Sequence, residues 1–231
     1  MCYHAQQKSA LKKLQNEVRR GIVSPEEYRS YFHANGFDAP KMATVANIGG
    51  VDAIHMIRWG YNDNLGYNTL NARSEDVFEK RSFKQAIFEG RCIVPLTGFF
   101  EPHEHLKKKF PYFVKPVNTD FFMVGGIFRA YDSGEFGLSI LTTAPNPLMA
   151  RVHNQAQRMP LILPYERMED WLTPKLDKEQ IRKLMVPLPE EFMTAHPVRK
   201  EVLNNHVNTD VEDVDEPVAY QELNAQQTSL F

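Results

Sequence analysis

The chain has 231 residues, 42% of them hydrophobic and 24% charged, and its 27 Lys and Arg nearly balance 29 Asp and Glu. That is the make-up of an ordinary globular protein with room for one large domain or two small ones, and no apolar run approaches the ~18–20 residues of a membrane span. Two cysteines, Cys2 and Cys92, are too few for a disulfide framework or a thiolate zinc site, so no metal or other cofactor is expected and the expected compartment is a reducing cytoplasm.

The chain opens on Met1-Cys2, and the residues that follow lack the apolar core of a signal peptide. Loss of Met1, usual before a residue as small as Cys, would leave Cys2 carrying an α-amine and a thiol, with ordinary pKa values of about 8 and about 8.5. Such a 1,2-aminothiol condenses with an aldehyde to an imine and then closes a thiazolidine ring, which no internal cysteine can do. The plainer reading, a second residue in a frayed terminus, stands beside it.

Residues 8–20 read as a helix: Leu11, Leu14 and Val18 form an apolar stripe flanked by Lys8, Lys12, Lys13, Arg19 and Arg20, a solvated basic face. Ser24-Pro25-Glu26-Glu27 has the pattern of a helix start, and Asn35-Gly36 of its stop. Strands are expected at 40–47 and 53–59, with Gly49-Gly50 in a turn between them, then a polar loop over 61–64. Ser82, with Gln85 three residues on, is expected to cap a short helix that ends at Phe88 before Gly90.

Residues 92–96 read as a buried strand that leads into Gly98-Phe99-Phe100-Glu101-Pro102, an apolar run ending on a carboxylate. Phe99 and Phe100 must face opposite sides of it. Apolar segments at 111–114, 121–131 and 136–143 lie too close together for crossover helices, so antiparallel pairing is expected. A turn of helix at 146–151 leads to His153. A strand at 158–163, short helices at 165–172 and 178–184, and a strand at 196–199 follow. The remainder, with Asp210, Glu212, Asp213, Asp215 and Glu216, reads as an acidic flexible tail. The fold class is α+β: one domain over 1–207, mostly antiparallel sheet with peripheral helices, and a tail over 208–231. Glu101-Pro102-His103-Glu104-His105 looks like a metal-ligand cluster, but it lacks the His-Glu-x-x-His helical spacing and Pro102 argues for a solvated loop.

Several ordered blocks resemble one family, the SOS-response-associated peptidases or abasic-site-processing proteins. They are Met1-Cys2; Met56-Ile57-Arg58-Trp59-Gly60; Asn71-Ala72-Arg73-Ser74-Glu75; Arg91-Cys92-Ile93-Val94-Pro95 with Gly98-Phe99-Phe100-Glu101; Thr142-Thr143-Ala144 with Asn146; and His153 with Arg158-Met159-Pro160. The resemblance implies a sheet-rich fold with a basic cleft for single-stranded DNA, a covalent cross-link from the N-terminal cysteine to abasic sites, and self-removal of the initiator Met. It makes Cys2 the cross-linking nucleophile, Asn71, Glu101 and His153 the other catalytic residues, and Arg73 a phosphate contact. Trp59, Arg58, Arg151, Arg158 and Arg91 would add to the DNA surface. Where the family usually reads Met-Cys-Gly-Arg this chain has Tyr3-His4, so His4 would supply charge when protonated. A second Trp common in the family is missing, and Tyr61 or Tyr67 would take over its stacking. Four residues separate His153 from Arg158, where many members have one.

The implied partner is single-stranded DNA containing abasic sites, met by a monomer near the nucleoid. The final residues Gln227-Thr228-Ser229-Leu230-Phe231 resemble the short peptide that docks bacterial proteins on the replication sliding clamp: Leu230 and Phe231 would fill an apolar pocket and Gln227 would anchor. Two other functions fit the residues: a hydrolase using an N-terminal cysteine on amides, and a non-covalent single-strand-binding module.

Overall fold

The computed structural model describes residues 2–61, 69–131, 133–204 and 206–224. In chain order the elements are β1 (His4–Gln7), α1 (Leu11–Val18), β2 (Tyr31–Asn35), β3 (Lys41–Ile48), β4 (Val51–Trp59), β5 (Asn71–Arg73), α2 (Ala86–Glu89), β6 (Arg91–Leu96), β7 (Gly98–His105), β8 (Lys108–Pro116), β9 (Phe122–Ala130) and β10 (Phe136–Thr143). Then come α3 (Pro147–Val152), β11 (Met159–Pro160), β12 (Ile162–Leu163), α4 (Met168–Leu172), α5 (Lys178–Leu184), β13 (Met193–Pro197) and α6 (Gln221–Asn224).

Two sheets face each other. One has five strands in the order β13-β8-β7-β1-β2. The other has eight, running β11-β10-β4-β3-β6-β9-β12 with β5 on β10. Pairing is antiparallel apart from β4 and β5, which run parallel to β10. The fold is thus α+β, with few and short helices. No helix among the described residues is long and apolar enough to cross a membrane.

Strand alternation sorts the apolar residues into layers. Cys92 and Val94 point between the sheets, where they meet Ala5, Met42, Ile57, Phe99 and Leu138, while Ile93 points to the other face of β6. That outer face is covered by helices: Leu14 and Val18 of α1, Trp171 of α4 and Ile181 of α5 pack there with Val45 and Phe83. Phe99 and Phe100 part as strand geometry requires. Phe99 enters the inter-sheet core, and Phe100 joins Phe113, Val198, Val202 and Val214 on the outer side of the five-stranded sheet.

Three expectations are corrected. The helix-start pattern at Ser24 yields only a 3-10 turn, Pro25–Glu27, and the following residues form β2, because they pair with β1 at the edge of a sheet. Pro102 does not end its strand: β7 continues to His105 in a hairpin with β8, where Pro102 stands opposite Pro111, so neither removes a hydrogen bond the other needs. The acidic stretch from Asn208 to about Tyr220 is held against the domain. One carboxylate oxygen of Asp210 accepts from the Phe32 and His33 amides at 2.8 and 3.1 Å, Asp215 pairs with Lys8 at 2.8 Å, and Val214 is buried. The sequence there is polar because its carboxylates answer cations and amides of β1, β2 and their neighbours. Met1, most of the 61–64 loop, Tyr67 and residues 227–231 lie outside the described residues.

Candidate active site

β1 lies between β2 and β7 with His4 opposite Phe100 and Ala5 opposite Phe99. Continuing that register by one residue brings Tyr3 level with Glu101, and Cys2 beyond it into the inter-sheet core. Cys2 is fully buried, and its carbonyl accepts a hydrogen bond from Asn71 Nδ2 at 2.8 Å. Asn71 reaches it because β5 pairs with β10 and presents the first residue of Asn-Ala-Arg inward, the second to the helix-covered face and the third to solvent.

Glu101 is 1% exposed, and neither carboxyl oxygen has a hydrogen-bond partner among the described residues. A buried carboxyl left this way costs stability unless it is protonated or engaged by a ligand. Burial pushes its pKa up to about 7, with the positive chain terminus pulling the other way. Burial and then the Glu101 charge push the Cys2 thiol well above its ordinary value, so the thiol stays protonated at neutral pH.

His153 sits where α3 ends. Asn146 caps that helix, its Oδ1 accepting from the Met149 amide at 2.8 Å, and His153 forms the C-cap. His153 Nδ1 is 3.1 Å from the Arg158 carbonyl and 3.4 Å from Glu101 Oε2. A carbonyl can only accept, so Nδ1 carries the hydrogen and Nε2 keeps its lone pair. Burial lowers the pKa of His153 to about 4. With Glu101 near 7 and His153 near 4, the two do not form an ion pair at neutral pH. A neutral imidazole N–H faces a carboxyl poised between its two forms. Four residues between His153 and Arg158 are accommodated as a turn closed by the Gln157 amide bonding to the His153 carbonyl at 3.0 Å.

The residues expected to contact DNA divide. Arg73 is exposed, with no side-chain hydrogen bond or ion pair among the described residues. Arg151 is also exposed, paired with Glu190 at 2.9 Å. Arg58 is part-buried and donates to the Gly60 carbonyl at 3.1 Å. Arg158 is a strut: it donates to Glu75 at 2.5 Å and to the Thr142 carbonyl at 2.6 Å, tying the β5 and β10 ends together. Arg91 is buried and donates to backbone carbonyls of Ile87, Phe88, Trp171 and Thr173. It closes the ends of α2 and α4 and is only 7% exposed.

Trp59 is fully buried in the inter-sheet core with Nε1 bonded to the Leu70 carbonyl at 3.0 Å, so it offers no stacking face. Tyr61 is 6% exposed and likewise unavailable. Trp59→Ala is expected to destabilise the protein by about 3–5 kcal/mol, read as a drop in the urea midpoint. Trp59→Phe is expected to keep DNA affinity, and a selective affinity loss in a stable Phe variant would contradict the assignment to the core. His4 is also not a phosphate ligand. It is buried and stacked on His33, Nδ1 to Nε2 at 3.0 Å, and burial lowers its pKa to about 4. A Gly-Arg pair could not make this contact; here Tyr3-His4 exchanges a surface cation for an anchor of β1 to β2.

Sequence reasoning missed two features. The Gln7 amide bonds to Ala43 N and O and to the Pro95 carbonyl, all at 2.8–2.9 Å, and so stitches β1 to both β3 and β6. Tyr3 and Phe37 pair at the edge of the site. Neither residue belongs to a motif block, and only the departure at Tyr3 flagged it.

A family model described as SOS response associated peptidase (SRAP) matches residues 1–205. Two Bacillus subtilis (strain 168) proteins named as abasic site processing proteins are similar. YobE is 31% identical over 196 residues, spanning 80% of this chain and 87% of that protein; YoqW is 30% identical over 196 residues, spanning 80% and 85%. The Xenopus tropicalis abasic site processing protein HMCES is 28% identical over 187 residues, covering 66% of this chain and 54% of its own. A crystal structure of a Bacteroides thetaiotaomicron protein superposes with a TM-score of 0.85 at 29% identity, covering 94% of this chain and 100% of the other.

Proposed function

The chain belongs to the SOS response associated peptidase family, and from that premise we propose that it processes abasic sites in single-stranded DNA by forming a thiazolidine cross-link through Cys2. Hydrolysis of the Met1–Cys2 peptide bond, carried out by the protein on itself, frees the α-amine. The amine adds to the C1′ aldehyde of a ring-opened abasic site, water leaves to give an imine, and the thiol adds across the imine to close the ring. The sum is one aldehyde plus one aminothiol giving one thiazolidine and one water.

The observation that carries this reading is Glu101, buried without a hydrogen-bond partner among the described residues and with its charge acting on the buried Cys2 thiol. A group with a pKa of about 7 can take a proton from the amine and return it as water departs. Asn71 holds the Cys2 backbone and leaves its buried Oδ1 as an acceptor for the freed amine. His153, neutral at pH 7 with Nδ1 3.4 Å from Glu101 Oε2, assists opening of the sugar ring and, in the reverse direction, release. Arg73 neutralises a phosphate of the bound strand. The cross-link would shield the site during replication.

Intact mass spectrometry after mixing with an oligonucleotide bearing one abasic site tests the reading. The expected species is the sum of Met1-free protein and DNA less one water. Mature protein with no adduct would turn attention to amide substrates. The final peptide adds a partner: removing residues 227–231 is expected to abolish binding to the sliding clamp, measured by calorimetry, and to leave adduct yield unchanged. Equal clamp affinity in both forms would rule that peptide out.

A further inference from the structure

Phe37 is 54% exposed, and its ring lies 5.0 Å from the half-buried ring of Tyr3, at an interplanar angle of 40°. Isolated exposed aromatics are ordinary. This one is held in place. The Asn35 side chain accepts from the Phe37 amide at 3.1 Å, and the Gly36 amide donates to the Tyr3 carbonyl at 2.8 Å. Gly36 itself lies on the buried Trp59 and Leu70, so closely that a Cβ there would stand 3.1 Å from a Leu70 methyl and 3.3 Å from the Trp59 ring. The core thus supports the turn that presents Phe37 to solvent, immediately beside the residue that follows Cys2. Burial and then the Glu101 charge raise the pKa of the Tyr3 hydroxyl and the Arg73 charge lowers it, so both charges act on that hydroxyl.

We propose that Tyr3 and Phe37 form the platform on which the base next to the abasic nucleotide stacks, with Arg73 on the adjoining phosphate. A strand that delivers a baseless sugar to Cys2 must part its neighbouring base from the stack, and a rigid aromatic face with a cation beside it replaces what that base loses. The occupant is a nucleobase of single-stranded DNA, and the proposal rests on the single-strand reading above.

The test uses an oligonucleotide carrying tetrahydrofuran in place of the abasic sugar, which has no aldehyde and cannot cross-link, with 2-aminopurine on one side of it or the other. Wild-type protein is expected to change the 2-aminopurine fluorescence on one side. Phe37→Ala is expected to lose that change and to bind roughly 5- to 150-fold more weakly, whereas Phe37→Trp restores both. Removing the flanking base from the DNA should weaken wild-type binding and leave Phe37→Ala indifferent. A Phe37→Ala protein with unaltered affinity and fluorescence response would overturn the platform while leaving the cross-linking chemistry standing. A wild-type protein that binds none of these strands would overturn both.

Discussion

Cys2→Ala is expected to eliminate the heat-stable DNA adduct completely while leaving a trace of reversible chemistry. Ala is small enough for a cellular methionine aminopeptidase to remove Met1 before it, so the variant keeps a terminal amine on residue 2 even without self-processing. That amine can still form an imine with the abasic aldehyde, and borohydride reduction would trap it. Without a thiol the ring cannot close, and the imine hydrolyses. The outcome assigns the two steps to the two groups of Cys2, since the amine remains in the Ala variant and only the thiol that closes the ring is gone. Cys92 is the control. It is fully buried between the sheets, and burial holds its thiol far above its ordinary pKa. Cys92→Ala is expected to lose some stability and to retain the adduct. A heat-stable adduct surviving in Cys2→Ala would end the thiazolidine mechanism.

Glu101→Gln is expected to slow cross-linking by about 10²- to 10⁴-fold, the usual worth of a positioned acid–base group, and at the same time to make the protein more stable. The sign follows from linkage. The folded-state pKa of about 7 lies above the ordinary carboxyl value of 4.5. Between those values the folded protein keeps a proton that the unfolded chain releases, so stability falls as pH rises through that window. Gln has no proton to lose. Above pH 7 the variant should exceed the wild type by an amount on the order of 3 kcal/mol as an upper bound, and the difference should close towards pH 4. Urea titrations of both proteins at pH 4.5 and 8 read it directly. A gap that stayed constant with pH would mean that Glu101 does not titrate between folded and unfolded states. The activity profile supplies the other half: the wild-type rate is expected to rise through pH 7 as Glu101 ionises, and that limb should be missing in Glu101→Gln. Gain of stability with loss of rate is what a carboxyl kept buried for chemistry produces.

Much of the sheet framework was readable because its signals are local. The 40–47 and 53–59 segments alternate and flank Gly49-Gly50, and they form the β3–β4 hairpin almost residue for residue. Cys92 to Leu96 reads as buried and is buried throughout. Leu11, Leu14 and Val18 gave α1 because three residues at helical spacing need only one apolar surface beneath them. The failures came where a local signal competed with a distant partner. Ser24-Pro25-Glu26-Glu27 is a sound helix start, but β1 offers residues 31–35 a full strand's hydrogen bonds. The acidic run after Asn208 reads as solvated because its valines are isolated among carboxylates, yet Val214 is buried, and Asp210 and Asp215 are satisfied by β2 amides and by Lys8, 178 and 207 residues away in the chain.

For the site the division is sharper. The ordered motif blocks determined, without coordinates, that Cys2, Asn71, Glu101 and His153 deserved attention, since residue types and order are properties of the chain alone. Which arginines and aromatics are free to meet a ligand was decided only by the tertiary structure. Arg73 and Arg91 look alike in sequence, but one ends an edge strand facing water and the other caps two helices. Trp59 and Phe37 would be ranked in the wrong order by composition, because burial depends on what the rest of the chain brings against each ring. The proton chemistry is decided there too: Glu101 is an ordinary carboxylate until two sheets close over it, and desolvation is a property of the fold, not of the residue.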